Sequence, residues 1–421
     1  MNRTIVFFIG WLLICHTAFT QTPSYTPIDL HWQLKWEEHF NTFNTARWLK
    51  AEYSDHYYKD EQLYRAKNVW VQNGNLVIEI NNIKDTCPNP HPPEVPAACG
   101  PCTAGKKYNY TSGWVATTPA YNTQFGYIEA RIKLPFVRKN NKSWGFWPAF
   151  WTFIGADVPP PTNVAEIDIF EMFCGNYKKP NKFFTCLYTC YLAQNPNCED
   201  DFGITLEFSD FDFTDWHTYA IEWNANRIIW YLDGKVIRSQ NDHGIVNPVR
   251  IILNLALQSY SGFLPPTSPA FQEYMYVDYV KVYQLKCDKT TVVNEISNFN
   301  TYNYAVKKSI TMSNATTIPS GSNITLRATD FIELKSGFEV QTGRELYLDI
   351  TPCDGPNNCL DYLTDQTITS NTTVTGCDML LVQDVEISNS AQVVITAGEE
   401  MSIKPGFHAA AGTNVKIGIV P

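Results

Sequence analysis

The chain has 421 residues, 44% hydrophobic and 18% charged, enough apolar material for a substantial core and for more than one domain. A formal net charge of −10 with few lysine or arginine runs argues against a nucleic-acid or anionic-membrane partner, since both require concentrated positive charge. An aromatic share of 14% suits an aromatic core or an aromatic-lined sugar cleft, and composition does not separate the two.

In chain order, MNRTIVFFIGWLLICHTAFT places Arg3 before an apolar run from Ile5 to Ile14 and small residues at Ala18 and Thr20, the pattern of a secretory signal over residues 1–20. That run is too short to span a bilayer and no later segment is long enough, so the expectation is a secreted or cell-surface protein without a transmembrane segment. The His after Cys15 is a poor match to a lipoprotein cleavage site. Twelve cysteines, eleven beyond the signal, suit an oxidising compartment. Cys87, Cys99 and Cys102 sit in the Pro-rich insert TCPNPHPPEVPAACGPC. It has no second CxxC at zinc-knuckle spacing and no thioredoxin-type helix nearby, so a loop-stapling disulfide is expected, with its connectivity open. Cys174, Cys186, Cys190 and Cys198 follow the acidic motif described below.

Short runs such as NLVIEI, GYIEARIKL, RIIWYLDGKVI, RIILNLAL and MYVDYVKVY are separated by Gly, Pro, Asn and Asp turns, with no long helical periodicity. They predict an all-β sandwich over residues 21–284, with a hairpin turning at Asp233-Gly234. Near Gln284 the composition changes, and residues 285–308, within LKCDKTTVVNEISNFNTYNY, read as a polar linker. A β-rich accessory region over 309–421 then carries an internal repeat: ELKSGFEVQTG at Glu333 to Gly343 recurs as SIKPGFHAAAG at Ser402 to Gly412. Stacked strands are expected there, with Phe338 and Phe407 packed between layers.

The segment EIDIFE, Glu166 to Glu171, is the chemically distinctive one. In a regular strand Glu166 and Asp168 share a face and Glu171 points away. One extra residue bulging within Ile169-Phe170 swings Glu171 onto the face of the other two acids. Two glutamates leaning together over a curved sheet then approach the ~5–5.5 Å carboxyl separation of retaining glycoside hydrolysis. The competing readings are an edge strand with solvated acids or a calcium site, but the flanking Ile167, Ile169, Phe170, Met172 and Phe173 imply a central strand, where unpaired acids are costly.

At these residues the sequence resembles glycoside hydrolase family 16, in the laminarinase-like form with the bulged ExDxxE motif. The surrounding blocks agree: FGYIEARIKLP at Phe125 to Pro135, WPAFW at Trp147 to Trp151, WHTYAIEW at Trp216 to Trp223 and YVDYVKVY at Tyr276 to Tyr283, within a resemblance that covers roughly Leu34 to Gln284. It implies a β-jelly-roll cleaving internal linkages of β-glucans or galactans with retention, in which Glu166 is the nucleophile, Glu171 the general acid/base and Asp168 the assisting acid. Trp147 and Trp151 become sugar-stacking candidates, with buried core tryptophan as the alternative, and Arg65 and Asn68 become cleft residues. Asp278 and the backbone of Gly74 match a structural calcium site, while the chemistry itself requires no cofactor. A histidine common in relatives is missing from FFTCLYTCYL, and QSYSGFLPP replaces the usual small residues after LNLAL.

A pI near 5.3 favours a neutral glucan over an anionic galactan, the alternative being a galactan hydrolase of agarase, porphyranase or carrageenase type. The sequence suits a secreted β-1,3-glucanase acting on a polysaccharide, with cell-surface association through the C-terminal region; the alternatives are a galactan hydrolase, a noncatalytic β-glucan-binding protein on the same fold, and a structural surface protein whose functional part is the C-terminal repeat.

Overall fold

The computed structural model describes residues 30–55, 61–89, 102–135, 138–139, 142–154, 166–172, 182–188, 204–207, 212–225, 227–241, 245, 247–258, 264–313, 316, 318, 323–340, 345–353, 359–397, 400–403 and 407–419. The signal segment, Cys99, Cys174, Cys190 and Cys198 lie outside them. Among the described residues no helix is long and apolar enough to cross a membrane.

The expected jelly-roll sandwich is two sheets packed face to face. One runs, in spatial order, Ile204–Glu207, Lys182–Tyr188, Glu166–Glu171, Phe146–Ile154, Val249–Leu257, Trp114–Thr117 and Trp48–Lys50. The other runs Lys235–Asn241, Arg227–Leu232, Trp216–Trp223, Gly126–Lys133, Gln272–Leu285, Asn75–Asn81, Tyr110–Ser112 and Gln62–Tyr64. Alternation along each strand sends one set of side chains into a shared core: Ile78, Ile128, Ile221 and Val277 of the second sheet meet Phe150, Ile167, Leu253 and Leu255 of the first. The predicted hairpin is present. Leu232 pairs with Lys235, and Asp233 and Gly234 take φ values of 48° and 72°, the left-handed pair that a tight two-residue turn requires. The Pro-rich insert is stapled by a disulfide between Cys87 and Cys102.

Beyond Leu285 the pairing changes from antiparallel to parallel. Cys287–Val293, Val306–Met312, Asn323–Leu334 and Glu345–Ile350 stack side by side, and a second parallel sheet holds Cys359–Ile368, Thr372–Ile387, Gln392–Ala397 and Asn414–Ile419. Ser309 lies beside Phe331, Asn323 beside Glu345, Thr372 beside Val393 and Met379 beside Glu400. Each coil of this solenoid therefore takes 21 or 22 residues at those pairs, so the sequence repeat, whose copies start at Glu333 and Ser402, spans several coils. Phe338 and Phe407 pack against the two solenoid cores, as expected.

The linker expectation is corrected at this junction. Cys287–Val293 is a strand paired with Val306–Met312, and Ile296 and Phe299 are buried in the solenoid core. The segment looked like a tether because most outward positions of its strand are polar, while its inward residues are few and irregularly spaced. A disulfide from Cys287 to Cys353 closes the first four strands.

The solenoid also docks on the sandwich. Arg327 donates to Glu222 at 2.9 Å and to Asp349 at 2.9 Å, and Arg227 reaches Asp349 at 3.0 Å. Glu222 lies on the face of its strand turned away from the shared core and also accepts the Tyr231 hydroxyl at 3.2 Å. Arg327 and Glu222 are buried, so removing the cation leaves a desolvated carboxylate with only the Tyr231 hydroxyl and the more distant Arg227, at 4.0 Å, to offset it. Arg327→Ala should lower the unfolding free energy by about 3–5 kcal/mol in urea melts. An unchanged urea midpoint would mean that the two parts are merely tethered.

Candidate active site

The bulge is visible in the register. Thr152 faces Ile167 and Trp151 faces Asp168, but Phe150 then faces Phe170 and Ala149 faces Glu171, so Ile169 has no partner on that strand. The same slip occurs on the other flank, where Asp168 faces Cys186 and Glu171 faces Phe184. Ile169 and Phe170 consequently both enter the core, and Asp168 and Glu171 share the opposite face with Glu166, two residues before Asp168. Two contacts from the second sheet hold the bulge: the Trp230 indole donates to the Asp168 carbonyl at 2.9 Å, and the Phe170 ring packs on Tyr219 at 4.4 Å between centroids.

On the acid face the neighbouring strand presents Trp147, Ala149 and Trp151, and the next presents Asn254 and Ala256. The Trp147 indole donates to Glu171 Oε1 at 2.8 Å. Asp168 and Glu171 share a hydrogen bond that raises Asp168 and lowers Glu171. Asp168 Oδ2 is buried with no hydrogen-bond partner among the described residues, as suits an uncharged carboxyl.

Burial is the first cause of every shift in this trio. It raises Glu166 to about 8, with repulsion from Glu171 adding to it, and it raises Glu171 to about 7 against the hydrogen bonds from Trp147 and Asp168. Asp168 is held well above the carboxylate range by burial and by both glutamates, with Arg238 opposing. The trio therefore retains protons near neutral pH and can both donate and accept one.

The other predicted residues distribute unevenly. Trp147 is half-buried on the acid face, but Trp151 is 6% exposed: its indole donates to Asn254 at 2.8 Å and its ring meets Trp114 edge-on at 5.3 Å. The expected pair of exposed indoles is corrected to one half-exposed ring with a second packed beneath the surface. Arg65 is engaged by Glu52 and Asp85 and lies over the Tyr53 ring, and Asn68 is buried with its amide on Glu79, so neither meets the acids. Tyr64 of the same block reaches the cleft face, where its hydroxyl accepts from Asn254 at 3.3 Å. Asn254 was missed, although it is the one polar residue inside the apolar run RIILNLAL.

The proposed calcium ligands fit poorly. Asp278 is paired with Arg131 at 2.6 Å, and among the described residues no three His, Cys, Asp or Glu side chains cluster as a metal cage. Gly74 occupies a turn with φ of 72°. A cation at Asp278 would face the Arg131 guanidinium directly.

Residues 57–281 match the model of glycosyl hydrolases family 16, and the chain belongs to that family. It is 30% identical over 183 residues to endo-1,3-1,4-beta-glycanase EglC of Rhizobium meliloti (strain 1021), covering 43% of this chain and 35% of the relative. It is 26% identical over 290 residues to glucan endo-1,3-beta-glucosidase A1 of Niallia circulans, covering 60% and 38%. The catalytic domain of an endo-1,3-beta-glucanase (laminarinase) from Thermotoga petrophila RKU-1 superposes with a TM-score of 0.48 at 26% identity, covering 61% of this chain and 98% of that one. The match spans 35% of the length of EglC and of ExsH from the same bacterium.

The raised carboxyls have a consequence for stability. Their folded values lie above the ordinary 4.5, so the folded protein binds more protons than the unfolded chain between about pH 4.5 and 8. Stability from the protonated pair is full below 4.5 and is lost as pH rises through 7 and 8. The melting temperature should fall between pH 5 and 8.5 by more in the native protein than in Glu166→Gln, as measured by calorimetry. Parallel curves for the two proteins would contradict the shift at Glu166.

Proposed function

We propose that the protein is a secreted, retaining endo-glycosidase that hydrolyses internal linkages of a β-glucan, with β-1,3-glucan as the preferred polymer. The observation that carries this reading is the single face shared by Glu166, Asp168 and Glu171 across the Ile169 bulge. In the state of the coupled pair that carries its proton on Glu171, Glu166 attacks the anomeric carbon as the carboxylate while Glu171 protonates the departing glycosidic oxygen, leaving a glycosyl ester on Glu166. Glu171 then takes a proton from water, the water oxygen bonds to the anomeric carbon, and the bond to Glu166 breaks. Asp168, protonated and hydrogen-bonded to Glu171, keeps a third negative charge out of a small volume.

The half-exposed face of Trp147 beside Glu171 supplies an apolar surface on which the CH face of a sugar ring can stack. The acidic balance of the chain and the buried acids disfavour an anionic polymer. The glucanase names of the matching relatives support the same substrate class. Export rests on the signal pattern of residues 1–20, and the solenoid is read as an accessory part that serves attachment to polymer or cell surface.

Glu166→Gln should lower the reducing-sugar rate by at least about a thousandfold without lowering the melting temperature. The native protein, assayed on laminarin, lichenan, agarose and carrageenan, should act first on laminarin and release products of retained anomeric configuration by NMR. Cleavage of agarose or carrageenan alone would replace the glucan reading by the galactan one, and retained activity in Glu166→Gln would remove the nucleophile assignment.

A further inference from the structure

We propose that Trp147 is a positioning residue for the second half-reaction: its indole N–H, 2.8 Å from Glu171, holds that carboxyl as the general base that deprotonates water once the sugar is esterified to Glu166. The inference rests on the retaining reading above and assigns to Trp147 a task separate from sugar stacking.

An indole N–H can only donate, so it always favours the ionised form of the carboxyl that accepts it. During glycosylation Glu171 must carry a proton while Glu166 attacks as the carboxylate; repulsion between the two groups, which appears as the rise at Glu166, keeps one proton and one negative charge on the pair. Esterification removes that charge. The repulsion disappears while the Trp147 donor remains in place, so the balance at Glu171 moves to the carboxylate. The proton leaving water is accepted by Glu171, the water oxygen bonds to the anomeric carbon, and the electron pair of the broken ester bond returns to Glu166.

The geometry suits a fixed donor. Trp147 stands on the strand paired with the bulged one, two residues before Ala149, which faces Glu171 directly. On its other side it faces Ala256, and its ring packs against the buried cluster of Tyr64, Trp114, Ala149 and Trp151. The indole is thereby held in one orientation while its N–H points at the acid.

The test replaces Trp147 by 3-benzothienylalanine, which keeps the bicyclic ring and deletes only the donor, alongside Trp147→Phe. The substrate is an aryl β-glucoside oligosaccharide with a good leaving group, and phenol release is followed from the first turnover. Steady-state turnover should fall about tenfold or more, after a burst close to one phenol per enzyme. Intact mass spectrometry should show the glycosyl adduct accumulating, and azide, which needs no general base, should restore turnover.

A fall in rate with no burst, no adduct and no azide effect would overturn the proposal and leave Trp147 as a stacking residue. So would unchanged kinetics in the benzothienyl protein. Product configuration from the native enzyme is read in the same experiment: inversion there would remove the retaining reading itself, whereas retention without a burst in the variant removes only the role of Trp147.

Discussion

One unpaired residue organises this site. Ile169 interrupts the ladder on both flanks of its strand, and the slip decides on which side of the sheet Glu171 falls. In a regular strand Glu171 would point into the core, where a carboxylate without a partner costs several kcal/mol or forces neutrality. The bulge instead commits two consecutive apolar side chains, Ile169 and Phe170, to the core and frees the acid for the opposite face. Its cost in ladder hydrogen bonds is offset by the Trp230 indole on the Asp168 carbonyl and by ring packing between Phe170 and Tyr219. The core of the sandwich therefore builds the site as well as the fold.

The same arrangement brings three carboxyls into a desolvated patch, which raises all of them and leaves the folded state less stable as pH rises. Donors are placed against the outcome that would defeat the chemistry, a patch that never ionises. Trp147 and Asp168 favour charge on Glu171, and Arg238 favours it on Asp168. Stability is thus surrendered locally for a set of groups poised to exchange protons near neutrality, a common trade at functional sites.

Much of this was legible in the sequence, for physical reasons that differ by element. Two apolar residues between Asp168 and Glu171 break the period of two, and only a bulge returns the acids to one face; that inference needs no knowledge of neighbouring strands. Asp233-Gly234 was legible because few residues adopt consecutive left-handed conformations. The state of Trp151 was not legible, since alternation gives the face of a side chain and not what covers it; Trp114 and Asn254, distant in sequence, do the covering. Arg65 and Asn68 came from the resemblance alone, and the local partners Glu52, Asp85 and Glu79 that engage them are not legible in that block. The solenoid was read as β-rich but its coil length was hidden, because parallel stacking needs inward apolar residues at each coil rather than a repeated motif. The junction at Cys287 was misread because an exposed parallel strand and a polar linker have the same composition. Docking through Arg327 and Glu222 joins residues 105 positions apart, a pairing that composition and local pattern do not contain.

The acid that becomes covalently attached to the sugar can be captured with a slow-turnover substrate. The enzyme would be incubated with an activated 2-deoxy-2-fluoro derivative of a β-glucan oligosaccharide, digested with a protease, and mapped by tandem mass spectrometry. A single adduct on Glu166, with Asp168 and Glu171 unmodified, is the predicted result. An adduct on Glu171, or stoichiometric attachment elsewhere in the chain, would contradict the bulged register as the basis of the division of labour between the two glutamates.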